Sequence, residues 1–352
     1  LHFPKGIIEK VNAGERLTPE DGIQLFQSAD ILTLGKLAQT VRSRLHGKRV
    51  YYSVNLHLNH TNICSSRCDF CAFSRNGDEP DAYAFSIEEV EQKIADAVRE
   101  WNINEVHMVG GHNPDIGLEY FAKLFRRVRK EFPQVFIKAL SAPEVDDLAR
   151  RAGVPVREAL LTLKEAGLGS LPGGGAEIFE SRVRQKLCPQ KIPGSRWLEI
   201  HREAHSLGIP SNATMLYGHV ETNQDRVDHL LELRKLQDET KGFQSFVPLS
   251  FQRPDPAPGV GEVTGFTDLK VLSISRLMLD NIPHIKVHWS ATDLKFAQAA
   301  LSFGADDVGG TNLHERVMRA AGSRAPKELS SADLVRLIRD AGYEPCLVNS
   351  SY

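Results

Sequence analysis

The period of the apolar positions switches repeatedly along the chain. Residues 50–59 alternate, with Val54, Leu56 and Leu58 on one face and Asn55, His57 and Asn59 on the other, which is the two-residue period of a strand. Polar residues pointing one way from a buried strand suggest a wet interior. From residue 87 the period becomes helical, with Ile87, Val90, Ile94 and Val98 along one face, and Ser86-Ile-Glu-Glu89 forms a capping box at its start. The exchange then recurs. Short apolar runs at 104–111, 135–142, 168–174, 209–218, 243–251, 285–291 and 306–311 alternate with helical stretches near 116–132, 143–152, 179–187, 222–239, 267–281, 293–303 and 312–321. With the first run this makes eight strand–helix units. Strict alternation predicts a parallel sheet, and eight units predict closure into an α/β fold of the (β/α)8 TIM-barrel type. An open doubly wound sheet is the competing fold, weakened by the lack of a Gly-x-Gly-x-x-Gly turn after the first strand.

Three segments follow from this pattern. Residues 1–48 read as an N-terminal helical extension, with Thr18 capping one of its helices; 49–325 as the barrel; and 326–352 as a C-terminal helix with an irregular tail packed on the barrel. Chemistry in such a barrel sits on the loops after the strands, and the unusual residues of this chain cluster there.

Charge and composition narrow the function. Charged residues are 25% of the 352 and the net charge is −2, so no basic field for nucleic acid is expected. No apolar run approaches the ~20 residues of a membrane-spanning helix. The first residues lack the basic-then-apolar order of a signal peptide, so a cytoplasmic, reducing setting is expected.

Cysteine is scarce, five in all, yet Cys64, Cys68 and Cys71 stand in the spacing Cys-x3-Cys-x2-Cys. Thiolates this close on one loop wrap a soft metal centre, and thiolate is the usual ligand of iron–sulfur clusters. No fourth cysteine is expected nearby. Cys188 and Cys346 lie far along the chain and read as small buried hydrophobes. A 4Fe–4S cluster held by three thiolates keeps one iron open to a substrate. A zinc site is the rival reading, with His60 as fourth ligand; disulfides are disfavoured by the odd local number.

These residues carry a resemblance. Cys64-x3-Cys68-x2-Cys71, with Phe70 before the last cysteine, resembles the signature of the radical S-adenosylmethionine (SAM) superfamily. HTNICSSRCDFCAFSR (60–75), VHMVGGHNPD (106–115), KALSAPEV (138–145), LPGGGAEIF (171–179) and ATMLYGHVET (213–222) are similar to the radical SAM enzymes of the futalosine route to menaquinone, above all the aminofutalosine synthase family. The resemblance spans nearly the whole chain.

It implies a 4Fe–4S cluster on Cys64, Cys68 and Cys71, with SAM as co-substrate contacted by Phe70, Gly110, Gly111, Ser141, Glu177 and Arg196. Gly110 and Gly111 would approach the methionyl amino group, Glu177 the ribose or methionine end, and Arg196 the carboxylate. Each has a plainer reading: a tight turn for the glycines, an exposed helix charge for Arg196, and for Glu144, next to Ser141, a first-turn helix acid. Glycines 173–175 leave room for a ligand. Asn59, His112, Asn212, Thr214, Arg253 and His288 are candidates for the second substrate, with a buried, hydrogen-bonded state as the plainer reading of His288.

The reaction implied is addition of the 5′-deoxyadenosyl radical to 3-[(1-carboxyvinyl)oxy]benzoate, with rearrangement and decarboxylation to aminofutalosine, driven by an external one-electron donor of flavodoxin or ferredoxin type. A cyclic dehypoxanthine futalosine synthase-like enzyme, which abstracts hydrogen, is the alternative. An iron–sulfur electron-transfer or binding protein is the alternative from another class, and it predicts a fourth cysteine ligand.

Overall fold

The computed structural model describes residues 3–252 and 263–352. Among these, nine strands are present: β1 Arg49–Ser53, β2 Asn55–Leu58, β3 Glu105–Met108, β4 Phe136–Ala139, β5 Ser211–Tyr217, β6 Phe243–Ser250, β7 His284–Ile285, β8 Asp307–Gly310 and β9 Glu344–Leu347. Every strand pairing is parallel. Three runs, β8-β1-β9, β2-β3-β4 and β5-β6-β7, are joined by bridges Lys138–Ser170, Leu171–Ser211, Lys286–Asp307 and Leu56–Leu313. The ring therefore closes, and the expected barrel is the observed one.

The first strand departs from its expected form for a physical reason. It breaks at Val54, whose N–H leaves the ladder for the side-chain carbonyl of Asn104 at 3.1 Å. Below the break β1 pairs with β9, from Arg49–Glu344 to Tyr52–Leu347. Above it β2 pairs with β3, with His57 opposite His107. One continuous strand thus changes neighbours midway. The tail expected to be irregular supplies β9, and its four residues, Glu-Pro-Cys-Leu, end in an exposed Leu347, so no alternation announced a strand. The run at 168–174 shrinks to the bridges at Ser170 and Leu171, because three glycines follow.

The extension forms helices Lys5–Ala13, Pro19–Gln27 and Ile31–His46. Thr18 caps the second through a box with Asp21, as expected. Arg16 reaches Asp238 at 2.6 Å and Asp280 at 2.7 Å, and Gly35 lets Ile31–His46 close on Phe303, whose ring would lie 2.5 Å from an added Cβ. The core between strands and helices includes Trp197, Trp289, Phe125 and Phe243, all buried.

Inside the lower barrel several polar side chains pair with one another. Lys138 pairs with Glu105 at 2.9 Å and donates to the Ser350 hydroxyl at 2.7 Å, while the Ser350 N–H donates to Glu105 at 2.7 Å. Lys286 pairs with Asp307 at 3.2 Å, and the Tyr352 hydroxyl donates to Asp307. The Tyr352 ring stacks on His284 at 3.8 Å. Burial opposes the charge on Glu105, but Lys138 and Lys286 outweigh it and hold that carboxyl down at about 2. His46, His284 and Asp306 are, among the described residues, a set whose ligand atoms lie within 4.8 Å of one another. They are already committed: His46 Nε2 faces the Pro283 carbonyl at 2.8 Å, His284 Nδ1 faces Asp306 at 2.6 Å, and Arg276 pairs with Asp306. This is an ion-pair knot, not a metal seat.

Candidate active site

The cysteine loop leaves the top of β2 and is fastened on several sides. The Cys64 N–H donates to Arg75 at 3.0 Å, Ser65 to the His112 carbonyl at 3.0 Å, Asp69 to the Leu187 carbonyl at 3.2 Å, and Cys71 to Cys68 at 2.9 Å. Arg67 sits at φ 39, a conformation that is costly for a side chain of its size and that turns the chain sharply before Cys68. Cys68 is buried, Cys64 and Cys71 are half-buried, and all three are free thiols. Burial pushes the Cys68 thiol up to about 12.

The adjacent glycines are explained by this loop. A Cβ on Gly111 would lie 2.1 Å from the Ile63 carbonyl oxygen and 2.9 Å from Cys64 Cβ, and one on Gly110 would lie 2.5 Å from the His60 ring. The glycines therefore let the loop after β3 lie directly against the cysteine loop. His112 braces the same contact, its Nδ1 2.9 Å from the Ser66 hydroxyl. His60, the nearby candidate for a zinc ligand, instead packs edge-on to Phe121 at 5.0 Å.

Two of the expected contact residues have prior commitments. Ser141 caps the helix Ala142–Ala152, and its hydroxyl donates to Glu144 at 2.6 Å. Glu144 also accepts the Gly110 N–H at 3.0 Å, and burial pushes its carboxyl up to about 7. Arg196, on the helix Gly194–Ser206, pairs with Asp146 at 2.8 Å and Glu199 at 3.1 Å. The cation that does reach the cysteine loop is Lys191, which sequence reasoning missed. Its ammonium lies 2.6 Å from Glu177 and 5.2 Å from the centre of the Phe70 ring. Burial works against that charge, but Glu177 and Cys68 outweigh it and raise the Lys191 pKa.

Glu177 is held at φ 46, just past the three glycines. Gly173 is pressed against the backbone of β5, 2.7 Å from Ala213 for an added Cβ, and Gly175 (φ +88) against Pro143. Only Gly174 has room, its nearest neighbour being Ser141 Cβ at 3.5 Å. Chain packing thus explains two of the three. Arg184 locks the turn by donating to the carbonyls of Ala176 at 2.7 Å and Ile192 at 2.5 Å. Cys188, distant in sequence, follows Leu187, which holds the cysteine loop through Asp69. The fold therefore brings a fourth thiol into the neighbourhood of the triplet, correcting the expectation drawn from sequence distance.

In the upper lumen several polar atoms lack partners. Asn59 donates to the Val109 carbonyl at 3.0 Å, yet its Oδ1 has no partner among the described residues; neither does Oδ1 of Asn212 nor Nδ1 of His288. Thr214 differs, because its hydroxyl donates to Gly173 at 2.6 Å. Arg253 lies outside the described residues.

The donor set fits an iron–sulfur cluster better than one ion. Three free thiols project from a single loop, and thiolate is the usual ligand of iron–sulfur clusters. No helix among the described residues is long and apolar enough to cross a membrane.

Comparison with known proteins bears on the same residues. The Radical SAM superfamily profile matches residues 58–233, and the CofH/MqnC C-terminal region matches 240–352. The chain is 45% identical over 345 residues to the aminodeoxyfutalosine synthase of Thermus thermophilus, covering 96% of this chain and 92% of that one. It is 42% identical over 356 residues to the aminodeoxyfutalosine synthase of Streptomyces coelicolor, covering 98% and 92%. In structure it resembles methylornithine synthase, with a TM-score of 0.77, 18% identity and 97% coverage of each chain.

Proposed function

Since the chain belongs to the radical SAM superfamily, a family of enzymes that use a 4Fe–4S cluster and SAM, we propose that it is an aminofutalosine synthase. It joins the 5′-deoxyadenosyl group to 3-[(1-carboxyvinyl)oxy]benzoate, with rearrangement and loss of the carboxyvinyl carboxylate, giving 6-amino-6-deoxyfutalosine. The observation that carries this reading is the 45% identity spread over nearly all of both chains. When bound, the cluster and SAM supply the adenosyl radical from one electron of an external donor.

The protein's part is to hold and to exclude water. Cys64, Cys68 and Cys71 hold the cluster. Glu177 and Lys191 present an anion and a cation beside Phe70, a match for the ammonium and carboxylate of an amino acid. Asn59 and Asn212 offer acceptor oxygens that nothing among the described residues satisfies, and leaving such atoms dry is costly unless a ligand meets them. Addition needs the reacting carbons within about 3–3.5 Å, so both reactants share the mouth.

The test is product analysis. Anaerobically reconstituted protein receives reductant, SAM and the carboxyvinyloxybenzoate, and the nucleosides are identified. A carbon-linked adenosyl adduct is expected. Free 5′-deoxyadenosine as the main nucleoside would overturn the synthase reading in favour of hydrogen abstraction.

A further inference from the structure

Below the asparagines, three imidazoles gather in the lumen. His57 and His107 face each other across the β2–β3 register, ring centroids 4.6 Å apart, and His288 approaches His57 at 6.1 Å. Their chain neighbours Leu56, Val106, Met108, Val287 and Trp289 are buried on the helix side, so alternation turns the three rings inward. Among the described residues His288 Nδ1 is buried without a hydrogen-bond partner. Buried polar groups in folded proteins nearly always find partners, so an orphan nitrogen beside two further inward-facing imidazoles marks a place for a ligand.

The surroundings bear on what that ligand is. Burial, with Lys138 and Lys286 adding to it, keeps the three rings unprotonated, so each meets a ligand as a neutral imidazole whose N–H suits an acceptor such as a carboxylate. There is also space: a Cβ on Gly309 of β8 would meet only the Val287 carbonyl, at 3.7 Å, and His107 and His288 keep partial exposure.

We infer that His57, His107 and His288 seat a carboxylate of the second substrate, the one on the aromatic ring. This rests on the proposed synthase reading for the identity of that substrate. The orientation follows from depth. His57 lies two residues, about 7 Å, below Asn59 along β2, and the cysteine loop starts above Asn59. The end of the substrate that accepts the adenosyl group must be at the cysteines, so the opposite end, the ring carboxylate, points down to the histidines. Imidazole N–H groups donate to it.

The experiment uses the reconstituted holoenzyme and two probes, the carboxyvinyloxybenzoate and its analogue with the ring carboxylate replaced by a carboxamide. Binding is measured calorimetrically without reductant, so the result does not depend on turnover. Wild-type protein is expected to prefer the carboxylate by roughly 10- to 100-fold, the worth of a charge-assisted hydrogen bond. His57→Gln and His107→Gln should erase most of that preference while leaving cluster iron and SAM affinity unchanged. Equal binding of the two probes by wild-type protein, or an undiminished preference in both variants, overturns the inference. Adduct formation by the wild-type enzyme is read separately, so failure of the histidine seat and failure of the synthase reading are distinguishable.

Discussion

The lower and upper halves of the barrel lumen use similar residues and differ in whether those residues are matched. Below, Glu105, Lys138, Lys286, Asp307, Ser350 and Tyr352 form pairs and hydrogen bonds with one another. Above, Asn59, Asn212 and His288 each present an atom with no partner among the described residues. A matched network holds the fold; an unmatched one leaves desolvated groups whose cost is recovered only when a ligand arrives. The same chain thus closes one end of its barrel with its own tail and keeps the other for substrates.

The sharpest break is at the cysteines. Replacing Cys64, Cys68 or Cys71 with Ala should abolish both cluster iron and adduct formation, measured by iron analysis and product assay, while Cys188→Ala should keep both. Next in size is the lower network. Lys138→Met leaves Glu105 buried without its ion-pair partner and should cost about 3–5 kcal/mol in urea unfolding of the cluster-free protein. The double variant Glu105→Leu, Lys138→Met should recover most of that loss, which a double-mutant cycle will measure. The upper half should behave in the opposite way. Asn212→Val removes an unpartnered acceptor, so stability should hold or rise by up to about 1–3 kcal/mol, while activity falls.

Acidity separates the halves again. Burial holds His57 at about 3 and His288 at about 4, below the ~6.5 of an unfolded histidine. Between those values the unfolded chain binds the extra protons, so stability falls as pH drops from about 6.5 to 4. Glu105, held at about 2 against ~4.3 unfolded, contributes above that unfolded value and loses its contribution only as pH falls toward 2. His46, His60, His107, His112, His201, His205 and His229 are lowered too, so a His57→Gln, His288→Gln variant should make the first window shallower and leave the second, as read from unfolding midpoints against pH. The smallest effect expected is that of Ser141→Ala, about 1 kcal/mol for a lost helix cap.

Much of this was legible in the chain because strand alternation and loop position are local properties. The eight-unit pattern and the Ser86 and Thr18 caps needed only neighbours in sequence, and alternation alone turned His57 and Asn59 inward. What escaped depended on register and on long-range contact. His107 gains meaning only opposite His57; Lys191 and Cys188 reach the cysteine loop only after the helix Ser181–Leu187 folds over it. Strand β9 was hidden because an edge that pairs with one half of β1 needs no apolar alternation. For Ser141, Thr214 and Arg196 the residue types suited ligand contact, but each spends its polar atoms on a protein partner. The glycines illustrate the same limit, since Gly111 and Gly175 are required by chain packing that no spacing reveals.

In the proposed arrangement three thiolates, and not four, hold the cluster, leaving one iron for SAM. Electron paramagnetic resonance of the reduced, oxygen-free protein tests it most directly, recorded with and without SAM and repeated on Cys188→Ala. The account predicts a 4Fe–4S signal that shifts on adding SAM and is the same in the variant. A signal indifferent to SAM, or one lost with Cys188, would contradict it.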